Sequence, residues 1–234
     1  MRKWAIGVLA ALLLFVSSAL ALADSEGTIV QSSCSVVPSG DYYLVYCYAQ
    51  VHNNTNAIIG LEEGYFDLYS GEEIIATQDV AQIWPGMIGP GEDGYIFDVV
   101  AFEPDENGQP VVPQVTNIDF SIRYMMTDVE FASVPMAASA EIQKDQYGGL
   151  TVETTVTNGS DVTAYNPTIT FGLYTDGGAM VYADGMNLRN VGVPAGGSMI
   201  LRFPVDDEIA EQWNSYGANI TQVQVNASFR DGTD

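Results

Sequence analysis

A four-residue stretch occurs twice in this chain. Phe66-Asp67-Leu68-Tyr69 returns as Phe171-Gly172-Leu173-Tyr174, 171 − 66 = 105 residues later. The same shift lays Val51 and Asn53 on Val156 and Asn158, Asp79 on Asp184, Gly91 on Gly196 and Thr116 on Thr221. Conservative pairs keep the register: Ile83/Leu188, Ile88/Val193, Ile96/Leu201, Ile118/Val223 and Tyr124/Phe229. No gap is needed between Val51 and Phe229. A duplication constrains the fold more than any local pattern, because whatever one half builds the other must build too.

Strand signals set what each half builds. Val, Ile, Thr, Tyr and Phe run in short stretches broken by Gly, Pro, Asn and Asp. The expected strands of the first half are residues 28–37, 42–52, 64–69, 73–78, 94–99 and 116–125. Those of the second are 139–144, 150–157, 168–174, 179–183, 198–205 and 221–229. So many short strands with close turns predict an all-β chain with a β-sandwich in each copy. Residues 206–216 are the one helical segment; their acidic start suits a helix N-terminus. Residues 127–132 join the copies, and Val129 and Phe131 make them too apolar for a free linker. The two domains are therefore expected to touch, with limited hinge motion.

Residues 1–23 read as a secretory signal peptide. Arg2 and Lys3 precede an apolar run from Trp4 to Val16, and Ala21-Leu22-Ala23 closes the segment, with cleavage before Asp24. The competing reading is an uncleaved anchor; the run is near the lower limit of about 17 residues for a spanning helix. The expected plan is a signal peptide at 1–23, a first sandwich domain at 24–127 and a second at 128–234. The product is expected to be secreted or cell-envelope associated, with no membrane attachment after cleavage. The chain carries 30 acidic and 7 basic residues, a net charge of −23. Such a surface repels phosphate backbones, so nucleic acid is not an expected partner. The acidity serves solubility, or it attracts cations or a basic partner.

Cys34 and Cys47 are the only cysteines. In an exported chain a pair is read first as a disulfide. Between them, Pro38-Ser39-Gly40-Asp41 is a turn signal. A hairpin turning at Gly40-Asp41 sets the two cysteines directly opposite each other. Their repeat partners, Ser139 and Val152, cannot form a bridge, so the expected bond is a staple of one copy. Two Cys and one His do not supply a usual metal site.

The motif sits in a wider pattern. Phe-x-Leu-Tyr follows a Val-x-Asn turn, and Gly89-Pro90-Gly91 or Pro194-Ala195-Gly196 lies downstream. In these features the chain resembles the FxLYD family, small immunoglobulin-like sandwich domains of exported bacterial and archaeal proteins. The resemblance spans residues 51–99 and 156–204. It departs at the fifth position, where the family has Asp and this chain has Ser70 and Thr175. It implies two tandem immunoglobulin-like domains in an extracellular or envelope setting, with no catalytic residues to carry over.

Enzymatic chemistry finds little support. His52 is the only histidine, and Thr157 replaces it in the other copy. A catalytic base needs a nucleophile and an orienting partner. Glu62-Glu63, Glu72-Glu73 and Asp206-Asp207 are adjacent acids, and adjacent residues on a strand point to opposite faces. Glycosidase work needs two carboxyl groups across a sugar cleft. Asp105-Glu106-Asn107-Gly108 and Asp206-Asp207-Glu208 gather oxygens but lack a calcium-loop spacing, so they read as solvated loops. No metal and no cofactor is expected. Asn53, Asn158, Asn219 and Asn226 head Asn-x-Ser/Thr triplets and read as polar turn and strand residues.

Comparing the copies singles out an aromatic surface. On the second strand, Val45, Cys47, Ala49 and Val51 map to residues that stay mostly apolar, whereas Leu44, Tyr46, Tyr48 and Gln50 map to Gly149, Thr151, Glu153 and Thr155. Alternation puts the two sets on opposite faces, so the odd set is core. Tyr46 and Tyr48, with Tyr42 and neighbouring Tyr65 and Tyr69, are then expected on an outer face that only the first copy carries. Such a face marks a protein or glycan contact, or it packs on the second domain or on Trp84-Pro85-Gly86. The expected function is an exported, non-catalytic binding or adhesion module. The alternative is a structural spacer or accessory subunit of an envelope assembly.

Overall fold

The computed structural model describes residues 28–127, 133–146, 149–215 and 217–230. The expected signal peptide, and residues 128–132 of the joining segment, lie outside them. The described chain is all-β, with several antiparallel sheets and one short helix. In the first copy the strands are β1 (Thr28–Ser39), β2 (Tyr42–His52), β3 (Ile58–Ser70), β4 (Glu73–Asp79), β5 (Met87–Ile88), β6 (Asp93–Phe102) and β7 (Asn117–Thr127). The second copy has β8 (Ser133–Pro135), β9 (Ala137–Lys144), β10 (Leu150–Thr157), β11 (Ala164–Tyr165), β12 (Thr168–Thr175), β13 (Met180–Asn187), β14 (Gly192–Val193) and β15 (Ser198–Pro204). Helix α1 (Asp207–Ser215) and β16 (Ile220–Arg230) complete it.

Each copy pairs two sheets around a core. In the first, β1–β2–β6 faces β3, which is flanked by β4, β5 and β7. Val45, Cys47, Ala49 and Val51 point inward and are fully buried, against Phe66, Leu68 and Ile118. The alternation of β2 is thus the one its sequence implies. Phe66 packs on Phe120 with ring centroids 4.7 Å apart. In the second copy, β9–β10–β15 faces β13–β12–β16–β8, and Phe171 packs on Phe203 at 5.1 Å. The Phe and Leu of the repeated tetrapeptide are therefore core in both copies. The copies differ at their first strand. β1 runs unbroken along β2 with one bulge near Ile29, whereas its counterpart divides at Met136, β8 joining β16 and β9 joining β10.

The duplication extends to single hydrogen bonds. Asn53 is fully buried; its amide donates to the carbonyls of Ala57 and Ile88, each at 2.9 Å. Asn158, 105 residues on, donates to Val162 at 2.7 Å and Val193 at 2.8 Å, the same shift for both acceptors. Its Oδ1 accepts from the amide and hydroxyl of Ser160, as that of Asn53 does from Thr55. Even the backbone bonds repeat, Asn53 N to Glu92 O and Asn158 N to Gly197 O. This clamp ties the end of β2 or β10 to the turn before β6 or β15. It accounts for both Asn-x-Thr/Ser triplets at these sites, whose amides are spent inside the fold.

The gapless register fails in one strand. Phe66 faces Gln78 in β4, whereas Phe171 faces Asp184 in β13, and 184 − 78 = 106. One extra residue in the turn before β13 slips that strand. Asp79 and Asp184 are thus not structural partners, although the sequence shift aligns them. The β9–β10 turn is longer too, and Val152 faces Ile142 rather than Ser139.

The cysteine expectation is corrected in the same way. Cys34 and Cys47 do stand opposite each other, because Gly40 supplies the φ of 62° the turn requires. They are nevertheless unbonded. The Cys47 thiol turns along its own strand and donates to the carbonyl of Val45 at 3.7 Å. Burial pushes the Cys34 thiol up to about 12 and the Cys47 thiol well above its ordinary value. Both are protonated and unreactive at neutral pH.

Two outcomes follow. Native protein should titrate almost no thiol with a disulfide-exchange reagent at pH 8, and two per chain after unfolding; no thiol after unfolding would restore the bridge. Asn53→Ala and Asn158→Ala should each lower unfolding free energy by about 2–4 kcal/mol in urea titration, since each strands two carbonyls.

Candidate binding cleft between the two copies

Part of the outer face of β2 and β6 is covered by the second copy: Tyr48, Gln50 and Tyr95 are buried there. Tyr48 is 2% exposed, and its ring lies 5.2 Å from that of Tyr182 in β13. Tyr95 of β6 lies over Gly172 of β12, where a Cβ would sit 2.8 Å from Tyr95 Cε1. The same position in the first tetrapeptide is Asp67. A buried hydrogen-bond chain crosses the junction. Tyr95 and Tyr174 hydroxyls are 3.1 Å apart, and Tyr174 donates to Gln50 Oε1 at 3.0 Å. Met180 N donates to Gln31 Oε1 at 2.7 Å. Burial raises the Tyr174 hydroxyl to about 12 and lifts that of Tyr95 further, so both stay neutral donors.

Beside this seal the copies part into a cleft of about 1010 Å³. Tyr46, Tyr48 and Phe97 line one side, Tyr182 and Asp184 the other, and the start of α1 closes one end. Asp206 caps that helix, its Oδ1 accepting from Glu208 N at 2.9 Å, as its position predicts. The inner face of α1 is anchored by Ile209, Ala210 and Trp213, and Trp213 meets Tyr182 edge-on at 5.8 Å. Gln212 Nε2 donates to the carbonyl of Val36, bringing the helix against the first copy.

The cleft is aromatic at its floor and acidic at its rim, with Asp98, Asp184, Asp206, Asp207, Glu208 and Glu211 along it. Burial raises the Asp184 carboxyl, although it accepts from Gly185 N at 2.7 Å and Tyr182 Oη at 3.3 Å. Glu208 is raised by its hydrogen bond and charge repulsion with Asp206. The Tyr46 hydroxyl is raised by burial and by Asp206 and Glu208. Tyr48 Oη, also buried, has no hydrogen-bond partner. Aromatic faces ringed by carboxylates hold organic cations, which shed little hydration on a ring face and pair with the rim. Among the described residues, no three His, Cys, Asp or Glu side chains converge as a metal site requires.

The structure brings together two of the five aromatic residues singled out in the sequence. Tyr46 and Tyr48 share the cleft. Tyr42, 39% exposed, stands at the start of the same strand. Tyr65 and Tyr69 do not join them, since β3 belongs to the opposite sheet. Tyr65 is exposed beside Asp79 and Ser121, and Tyr69 lies near Asp119 and Asp67. Tyr95, Phe97, Tyr182 and Gly172 carry the junction, and none was singled out. A signal existed: Tyr48 and Phe97 face each other across β2 and β6, and 105 residues on the pair is Glu153 and Arg202, an ion pair at 2.7 Å. The covered sheet carries rings where the uncovered one carries a salt bridge.

The remaining candidates resolve into local structure. His52 Nδ1 lies 2.9 Å from Asp93 Oδ1 at the rim of the sheet. Glu62 and Glu63 do not point to opposite faces: a bulge between Leu61 and Glu63 lets both reach Arg123, at 3.3 and 2.5 Å. The Asp105 carboxylate accepts from the backbone of Asn107 and Gln109, which lowers its pKa. No protein-family model matches the chain, and no curated protein matches it.

Because Tyr48 is buried in the junction while Tyr46 is partly exposed, the two should separate on mutation. Tyr48→Ser should cost about 3 kcal/mol or more in urea unfolding, and Tyr46→Ser less than about 1.5 kcal/mol. Equal costs would contradict the buried junction.

Proposed function

We propose that this chain is an exported, non-catalytic binding protein, made of two tandem immunoglobulin-like sandwich domains of FxLYD type behind a cleaved signal peptide. It acts outside the cell, free or at the envelope, and needs no cofactor. The paired sheets in each copy and the doubled Phe-x-Leu-Tyr support the domain assignment. The cleft between the copies supports the binding role, and it is the single observation on which that role rests. Its aromatic floor and acidic rim suit a cationic ligand, here a basic segment of a protein partner. The net charge of −23 adds a long-range field that draws such a segment in.

The burial of Tyr48 and Tyr95 favours a second reading, a rigid spacer whose aromatic face exists only to lock two domains together. The two separate on a titration with a tetra-arginine peptide, followed by Trp213 fluorescence. Under the binding reading, Tyr46→Ala and Asp206→Asn each weaken the response at least about tenfold, while Glu72→Gln on the distant β3–β4 turn leaves it unchanged. A response equally sensitive to all three, or none at all, leaves the spacer.

The pH dependence has a definite sign. Asp184 and Glu208 have raised pKa values in the free protein, so they hold protons above the ordinary carboxylate range. A bound cation favours their ionised forms, so affinity should rise with pH through that range and binding should release protons. The stability effect of Asp184 runs the other way: its raised folded pKa favours the fold at low pH, and that contribution is lost as pH rises through it. Asp184→Asn should therefore stabilise the protein at pH 7, and the gain should vanish in acid, as read by thermal melts across pH.

A further inference from the structure

A second groove, of about 1110 Å³, lies between the copies and has the opposite chemistry. Among the described residues, no acidic side chain lines this groove. Gln82, Asn166, Asn187 and Asn190 are among its polar walls, and Arg189 is the cation that lines it among the described residues. Among the described residues, Arg123 and Arg202 are held in ion pairs, whereas Arg189 is in none. Three aromatic residues line the groove, Trp84, Tyr165 and the buried Phe229, and Tyr165 is 64% exposed.

The exposure of Tyr165 is built in. Tyr165 faces Gly192 across β11 and β14, and its ring lies on that glycine, where a Cβ would sit 3.0 Å from Cε1. In the first copy the corresponding pair is Gly60 and Met87, with the large side chain on the other strand. The duplication thus exchanged large for small across one rung, and both large side chains, Met87 and Tyr165, end in this groove. Trp84 is fixed as well: its backbone exchanges hydrogen bonds with Tyr95 at 2.7 and 2.6 Å, and its ring stacks on Phe97 at 6.1 Å. The amides are held too. Asn190 N donates to Asn166 Oδ1 at 2.7 Å, and Asn187 Nδ2 to Thr168 Oγ1 at 2.9 Å. Asn166 and Asn190 are the non-glycine residues with left-handed backbones among those described, at φ 49° and 62°. Strained backbone held by its surroundings gathers at ligand sites.

We propose that this groove is a saccharide-binding site for a neutral oligosaccharide. Fixed aromatic faces match the C–H face of a pyranose ring, and planar amides, each both donor and acceptor, match hydroxyls that are also both. Arg189 adds further donors, while the acidic field of the whole chain disfavours anionic sugars. The site shares no residue with the acidic cleft and stands whether or not that cleft binds a cation.

The test is calorimetric titration of the full exported chain with cellotetraose, maltotetraose, xylotetraose and chitotetraose. At least one should bind and quench Trp84. Tyr165→Ala, which removes an exposed ring, should weaken that binding about tenfold or more with an unchanged melting temperature. Arg189→Gln should weaken it in part, and Asp206→Asn in the other cleft should leave it unaltered. No binding by any of the four overturns the proposal. So does binding indifferent to Tyr165→Ala, or binding confined to uronate oligomers run alongside and lost in salt.

Discussion

The contact of Tyr95 with Gly172 is the constraint on which the arrangement of the two copies depends. A strand buried on one face leaves room for side chains on the other; β12 is buried on both, from Ile169 to Thr175. Its inner residues Phe171 and Leu173 fill its own core, and its outer residues Thr170, Gly172 and Tyr174 carry the first copy. Only a residue without a Cβ lets the Tyr95 ring approach that closely. With the ring seated, its hydroxyl reaches Tyr174, and Tyr174 in turn reaches Gln50, so the buried polar atoms are satisfied through one another. Both grooves are consequences. Trp84 lines the amide groove, and Phe97, stacked against it, lines the acidic cleft.

Duplication followed by divergence explains why the two surfaces differ in chemistry. The copies share the core role of the tetrapeptide's Phe and Leu and the asparagine clamp, and the clamp repeats bond for bond. The largest changes of chemistry lie where one copy meets the other or meets solvent. Tyr48 and Phe97 became Glu153 and Arg202 on the uncovered sheet, and Tyr95 became Ile200, 63% exposed. Aromatic area is stabilising when covered and a liability when not, while an ion pair on an exposed sheet costs little.

Much of the fold was legible. The strand pattern, the alternation on β2 and the core role of Phe66, Leu68, Phe171 and Leu173 follow from period-two burial, which acts locally. The hairpin register that sets Cys34 against Cys47 follows from Gly40 in the same way. The bond between them did not follow, because facing positions do not fix where each thiol turns. Glu62 and Glu63 defeated the alternation rule through a bulge, which shifts one side chain to its neighbour's face. The candidate site was half legible: Tyr46 and Tyr48 stood out by comparison of the copies, and Tyr65 and Tyr69 were grouped with them although their strand lies in the other sheet.

By itself, the sequence determined that one β unit is built twice, which residues are core, where the hairpins turn and how acidic the surface is. Those properties depend on neighbours along the chain and on a period of two. The tertiary structure alone decided which outer face is covered, which residues of each copy meet, and where the grooves open. Docking joins Tyr95 to Gly172 and Gln31 to Met180 across long stretches of chain, and no local pattern encodes such a distance. One trace of it in the sequence is the letter that differs inside the repeated tetrapeptide, Asp67 against Gly172, and its meaning is visible only once Tyr95 is seen lying over it.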